Sequence, residues 1–253
     1  MIKPHIHLPY SKIYNYIEVI QQNKLNLEIF FDAKSLDNIQ KRDILNLEKA
    51  LSYGPSLSIH APFMDLSPGA VDPKIREVTL FRFNQIFDIA EFLYPKIIVF
   101  HSGYEKWKYA FKVDVWLEGS LITWEKILPR AEKTRIKIAV ENIFEEEPNS
   151  LCMLMEKINS TYFGVCFDTG HFNLFSKKTL EEWIDSIGKY IVELHLHDNN
   201  KNFDEHLAIG DGSFDFKTLF RLLNSKDGYI YTIEAHSVEA VFKSIEVFNK
   251  LID

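Results

Sequence analysis

Residues 193–212, ELHLHDNNKNFDEHLAIGDG, hold three histidines and five acids in twenty positions, and they begin as a strand before turning into a polar loop. Similar side chains end other β-rich runs of the chain. His60 closes LSIHAP, His101 lies in KIIVFHSG, Glu141 in KIAVENI, and Glu234 in YIYTIEAH. FGVCFDTGH carries Asp168 and, three residues on, His171. A lone histidine on a strand is most often a satisfied core or surface residue, and a lone Glu141 reads equally well as an ion-pair partner. Repetition at the same height on successive strands changes that balance. Several carboxylates in one small cavity repel one another and lose hydration, which forces protons onto them. Divalent cations remove the conflict, and mixed imidazole and carboxylate donors suit zinc, manganese, iron or cobalt better than calcium.

The elements that must position these groups are eight β-rich runs: 3–9, 25–31, 57–62, 96–103, 137–143, 163–171, 191–198 and 229–236. Between them lie segments of helical apolar spacing such as SKIYNYIEVIQQN, PKIREVTLFRFNQIFDIAEFL and VEAVFKSIEVFNKLI. Strands alternating with helices imply parallel pairing. Eight repeats in 253 residues predict a closed (β/α)8 TIM barrel, read as one domain over 1–253 because no linker or composition break interrupts it. An open doubly wound sheet is the alternative, but it calls for a glycine-rich phosphate turn that is absent. Strand side chains alternate. Ile98 and Phe100, Ile138 and Val140, Val165 and Phe167, Leu194 and Leu196, Tyr231 and Ile233 form an apolar face for the helices. The opposite face points His101, Glu141, Asp168, His195, His197 and Glu234 into the barrel near the C-terminal strand ends, where such barrels build active sites.

Composition narrows the classes. The net charge of −7 gives no non-specific attraction to nucleic acid. Two cysteines, Cys152 and Cys166, make neither a disulfide framework nor a zinc finger and imply a reducing compartment. No apolar run reaches the roughly 18 residues of a membrane helix, and MIKPHIHLPYSK lacks a signal peptide's apolar core. A cytoplasmic protein without membrane partners is expected.

The motifs SIHAP, VFHSG, VEN, DTGH, HLHD, DEH followed by IGDG, and IEAH, in this order over essentially the whole chain, resemble the xylose isomerase-like barrel superfamily of sugar isomerases, sugar epimerases and endonuclease IV. The resemblance implies a single-metal set of Glu141, Asp168, His195 and Glu234, with Glu141 and Glu234 also moving the proton. The three-zinc pattern of the endonucleases adds His60, His101, His171, Asp204 and His206, so one to three divalent ions (zinc or manganese) are implied. His195 fits the ligand position better than His197, because it precedes the aspartate of HLHD by three residues; His197 is then a hydrogen-bonding or substrate-binding residue. The chain departs from the endonucleases at its first strand, in its lack of a basic aromatic loop after the second, and in the acidic FEEEP that follows the strand-five glutamate. Glu145, Glu146 and Glu147 there would repel a phosphate backbone, or else form a solvated helix start.

Smaller features remain. His7 is a candidate substrate contact, with His5 beside it. Trp107 could cap the pocket, whereas Trp116, Trp124 and Trp183 read as packing. Glu28 reads as the partner of a base inside the barrel, Asp32 as a second acid at that strand, and Cys166 as a small core residue. Lys106 and Lys108 read as a solvated helix start, with a substrate phosphate as the sharper alternative. The leading expectation is a metal-dependent isomerase or epimerase of a small sugar or sugar phosphate, working through an enediolate between Glu141 and Glu234. An endonuclease IV-like multi-zinc phosphoesterase is the alternative, with nucleic acid disfavoured as its partner; a non-catalytic metal-stabilised binding protein comes third. Whether the chain oligomerises is left open.

Overall fold

A computed structural model describes residues 2–223 and 228–252. Eight strands, β1 (His5–Pro9), β2 (Asn26–Phe30), β3 (Leu57–His60), β4 (Ile97–His101), β5 (Lys137–Glu141), β6 (Phe163–Asp168), β7 (Ile191–Leu196) and β8 (Ile230–Ile233), pair in parallel and in sequence order. β1 also pairs with β8, so the barrel closes. The helices are α1 (Ile17–Asn23), α2 (Ala33–Asn38), α3 (Lys41–Ala50), α4 (Pro73–Leu93), α5 (Val113–Thr134), α6 (Asn149–Ile158), α7 (Thr169–Phe175), α8 (Leu180–Ile187), α9 (Phe216–Leu222) and α10 (Val238–Ile252). This is the TIM barrel the strand and helix rhythm predicts. No helix among the described residues is long and apolar enough to cross a membrane.

The alternation of the strands sets the two layers. Ile98, Phe100, Ile138, Val140, Val165, Phe167, Leu194, Leu196, Tyr231 and Ile233 are buried in one cluster with helix residues such as Phe83, Phe87, Trp124 and Trp183. Inside the barrel a smaller apolar plug of Ile97, Val99, Ala139 and Cys166 fills one side. Much of the rest of the interior is polar, with His5, Glu28, Ser58, Glu193 and Thr232 buried there. Register places His101 level with Glu141, and Asp168 level with His195.

Local chemistry explains the long helices. α4 starts with Pro73 behind the Asp72 cap, whose side chain accepts from Lys74 N at 2.7 Å, and it stops where Tyr94 turns left-handed. α8 opens with a Thr179–Glu182 capping box. Three expectations need correction. Residues 11–23 do not form one helix: a 3-10 turn, Tyr10–Asn15, precedes α1, with Tyr16 between them. The strand expected over 163–171 ends at Asp168, because Asp168 caps α7 by accepting from His171 N at 2.7 Å. Lys106 and Lys108 lie with Trp107 in a turn and not at a helix start.

Candidate metal centre

The candidate donors converge because they share strand ends. His195 is fully buried, and its Nδ1 has no hydrogen-bond partner. Three carboxylates face that atom: Glu234 Oε1 at 3.4 Å, Glu141 Oε1 at 3.6 Å and Asp168 Oδ2 at 3.7 Å. Donors bound to a tetrahedral zinc ion at about 2.1 Å stand about 3.4 Å apart. The observed spacings are too long for hydrogen bonds but close to that figure. An orphaned buried imidazole nitrogen in a carboxylate cage therefore fits a divalent cation by donor type and by spacing. The other nitrogen of His195, Nε2, sits 3.3 Å from the Glu28 carboxylate, which fixes the ring as second-sphere carboxylates do in metal sites.

Two further groups flank this centre. His60 Nε2 is 3.1 Å and His101 Nε2 3.5 Å from Glu141 Oε2. Donor atoms of these three residues lie within 4.8 Å of one another. On the other flank, Asp204 Oδ2 is 3.5 Å from His171 Nε2 and 2.9 Å from His206 Nε2. His171 also reaches Glu141 Oε1 at 3.1 Å, so it links this flank to the centre. All nine residues that the resemblance implies as donors thus gather at one rim of the barrel. His197 is buried behind them. Its Nε2 lies 3.1 Å from both oxygens of Asp168, and its ring stacks on His206 at 4.0 Å. It is absent from the cavity wall, and its ring nitrogens lie close enough to Asp168 and His171, and to Asp204 and His206, to make it a further candidate donor.

The charges balance through protons. Burial pushes the carboxyls of Glu141 and Glu234 up, but the imidazoles of His195 and His171 around the first, and of His195 and His7 around the second, hold both well below the usual carboxylate range. Burial lowers His195, yet the groups facing it, Cys166, Glu28, Glu234 and Glu141, lift it well above an ordinary imidazole. His7 sits 2.9 Å from Glu28 and 3.0 Å from Glu234; burial opposes its charge, and the two carboxylates win, raising it to about 10. His101, by contrast, is lowered to about 3, chiefly by burial. Imidazolium ions thus supply the positive charge that the carboxylates require, and a divalent cation supplies the same charge with release of protons.

A cavity of about 1230 Å³ opens onto this rim. Its walls include His7, His60, His101, Glu141, His171, Asp204, His206 and Glu234. Phe63, just beyond β3, also lines it and stacks on the His101 ring at 4.1 Å.

Several smaller expectations change. Trp107 is 67% exposed, packs edge-on against Phe111 and is absent from the cavity wall, because its loop turns outward. Asp32 caps α2. The acidic run does not act as one charge: Glu145 is buried against Ser102 and Ile143 N, Glu146 pairs with Lys106 and Lys177, and only Glu147 is exposed. Lys106 is thereby occupied, while Lys108 lines the cavity and donates to Ser67 Oγ at 2.9 Å. Glu28 pairs with His7 and His195 as the base-partner reading has it. Glu193 is a further interior acid, buried against Thr232 Oγ1 at 2.6 Å. Its signal lies in the period-two series Glu193, His195, His197.

The fold and the assembled rim define a TIM barrel with a candidate metal centre at the C-terminal strand ends. The chain belongs to the xylose isomerase-like TIM barrel family, whose sequence profile matches residues 14–251. It is 30% identical to the uncharacterized protein MJ1311 of Methanocaldococcus jannaschii, over 79% of this chain and 71% of that one. A probable endonuclease 4 of Mycoplasma mobile is 29% identical over 66% of this chain and 63% of its own. A solved D-tagatose 3-epimerase-like protein, 25% identical, superposes with a TM-score of 0.80 over 99% of this chain and 97% of that structure. Epimerases and endonuclease IV-like proteins are therefore both relatives of this chain.

Proposed function

We propose that the chain is a divalent-metal-dependent isomerase or epimerase acting on a small sugar or sugar phosphate. The observation that carries this reading is His195 Nδ1, buried, unpartnered and faced by Glu141, Asp168 and Glu234 at 3.4–3.7 Å. A divalent cation held by these four residues supplies electrophilic stabilisation of the negative charge that builds on a substrate oxygen as an α-proton leaves. Glu141, at the end of β5, and Glu234, just past β8, remove and return that proton. His7, held protonated at 3.0 Å from Glu234, keeps that carboxylate ionised and oriented. His60 and His171, each 3.1 Å from an oxygen of Glu141, orient the other glutamate. Phe63, stacked on the His101 ring, covers one side of the site. The likeness to the D-tagatose 3-epimerase-like protein supports the reading.

The test is solvent deuterium incorporation. Protein loaded with manganese, cobalt or zinc is incubated in heavy water with a panel of ketoses and aldoses, and the products are read by NMR. Label entering at one carbon is the expected result. Neither turnover nor label exchange across the panel defeats the reading.

A second reading, a multi-zinc phosphoesterase, is favoured by one specific observation: the flanking groups His60–His101–Glu141 and His171–Asp204–His206 are both assembled. Three cations would serve hydrolysis better than proton transfer at one carbon. Nicking of an abasic-site duplex, abolished by chelator, would establish it.

A further inference from the structure

The barrel needs only one side of α4. Phe83, Ile86, Phe87, Ala90 and Leu93 are buried there against the strands and neighbouring helices. The outward side is apolar as well. Its positions recur at steps of four and three along one stripe: Lys74, Val78, Phe81, Gln85, Asp88 and Phe92. Val71, just before the helix, extends the stripe by one more step. Val71 is 68% exposed, Val78 54% and Phe81 57%. Arg82 lies over the Phe81 ring at 5.7 Å and still leaves it open to water. Ile75 is exposed beside the stripe, and exposed Leu45 and Ile122 lie on α3 and α5, which pack against α4. Single exposed apolar residues are ordinary, but a contiguous group of large ones marks an interaction surface. A helix that is apolar on two sides is covered on both.

The order of charges along the stripe says what covers it. A cation, Lys74, stands near its start and an anion, Asp88, near its end, with Val78 and Phe81 between them. Turned end for end, the same stripe offers an anion to the cation and apolar carbon to apolar carbon. Lys74 pairs with Glu77 at 2.8 Å and Asp88 with Arg130 at 2.9 Å, but both Lys74 and Asp88 stay exposed and can take a second partner. We infer that a second copy of this chain covers this face, with its α4 antiparallel to the first. Val78 and Phe81 then meet their own counterparts about a two-fold axis, and Lys74 lies beside Asp88 of the second copy, twice over by symmetry. The size agrees. The 21 residues of α4 run about 31 Å, and helices spaced 8–10 Å apart make the face about 20 Å across. That is about 600 Å² per copy, the lower end of specific interfaces. The face lies outside the barrel, so the inference stands apart from the isomerase reading.

The test is sedimentation velocity of the full chain from about 1 to 100 µM. A species of twice the mass of one chain is expected to grow with concentration. Phe81→Glu, at an exposed position, is expected to weaken the dimer at least about tenfold while metal affinity and Tm stay at parental values. A charge exchange tests the antiparallel order and decides the matter should Phe81→Glu fail to fold. Lys74→Glu alone and Asp88→Lys alone each place like charges together across the axis, and each is expected to weaken the dimer at least about threefold. The double variant restores opposite charges and is expected to return to within about twofold of the parent. A chain that stays monomeric at about 100 µM leaves the face to some other partner and overturns the inference. A dimer indifferent to Phe81→Glu and to both single charge changes places the second copy elsewhere and overturns it equally. Single charge changes that weaken the dimer without rescue in the double variant overturn the antiparallel pairing.

Discussion

Replacing Gly170 by alanine adds one methyl group to α7 and touches none of the nine donors that the resemblance implies. Helix propensity alone would make the change favourable by about 1 kcal/mol. Packing reverses the sign. A Cβ at Gly170 would stand 2.0 Å from Cε1, 2.4 Å from Nδ1 and 2.6 Å from Nε2 of the His197 ring. Carbon contacts settle at about 3.5–4.0 Å, so the ring must retreat by roughly 1.5 Å. It has nowhere easy to go, since its face stacks on His206 at 4.0 Å with the planes 5° apart. Overpacking of this kind costs about 1–3 kcal/mol, which lowers Tm by roughly 2–10 °C in a chain of this size. The displaced ring also gives up its 3.1 Å contacts to both oxygens of Asp168. Losing an outer-shell partner of a metal donor weakens metal affinity by about 10–100-fold. Thermal unfolding and a manganese or zinc titration of the two proteins read both effects. A variant that melts at or above the parent temperature and binds metal with parental affinity would refute the reasoning.

Three further outcomes are expected. Glu28→Gln keeps the shape of the partner at His195 Nε2 but removes its charge, and metal affinity measured by competition with a chelator is expected to drop about tenfold or more; unchanged affinity would detach Glu28 from the centre. Burial raises Glu145 from its usual 4.5 to about 7, so the folded state holds a proton that the unfolded state releases, and stability falls as pH rises from about 4.5 through 7. Glu145→Gln removes that penalty, worth up to about 3 kcal/mol, so the variant's Tm relative to the parent is expected to improve between pH 5 and pH 8, and a pH-independent difference would contradict the assignment. Trp107→Ala, at an exposed turn off the cavity wall, is expected to leave metal affinity and KM unchanged within twofold.

Period-two alternation carried most of what could be read without coordinates. It put Glu141, Asp168, His195 and Glu234 on the inner face and Phe100, Val140 and Leu194 on the outer one, because strand geometry leaves no other choice once one face is apolar. Glu193 obeys the same rule, two residues before His195, yet its depth in the barrel depends on register between strands, which one strand's pattern does not encode. Loops were less legible. Trp107 and the run Glu145–Glu147 had the right residue types near the right strand ends. Their directions were decided by tertiary partners, Phe111 for the first and Ser102, Lys106 and Lys177 for the others. The glycine of DTGH, Gly170, shows the same dependence on a tertiary partner. It lies inside a helix, and the approach of the His197 ring is what requires it.

Metal binding at His195 Nδ1 is the claim on which the function rests. Protein purified without chelator, and a His195→Ala variant prepared in parallel, are analysed for metal content and then titrated with zinc or manganese after stripping. The account predicts at least one tightly held divalent ion per parent chain, bound with release of protons, and loss of that ion from the variant. A parent chain that retains no ion and takes up none at micromolar metal, or a variant that binds as the parent does, would contradict it.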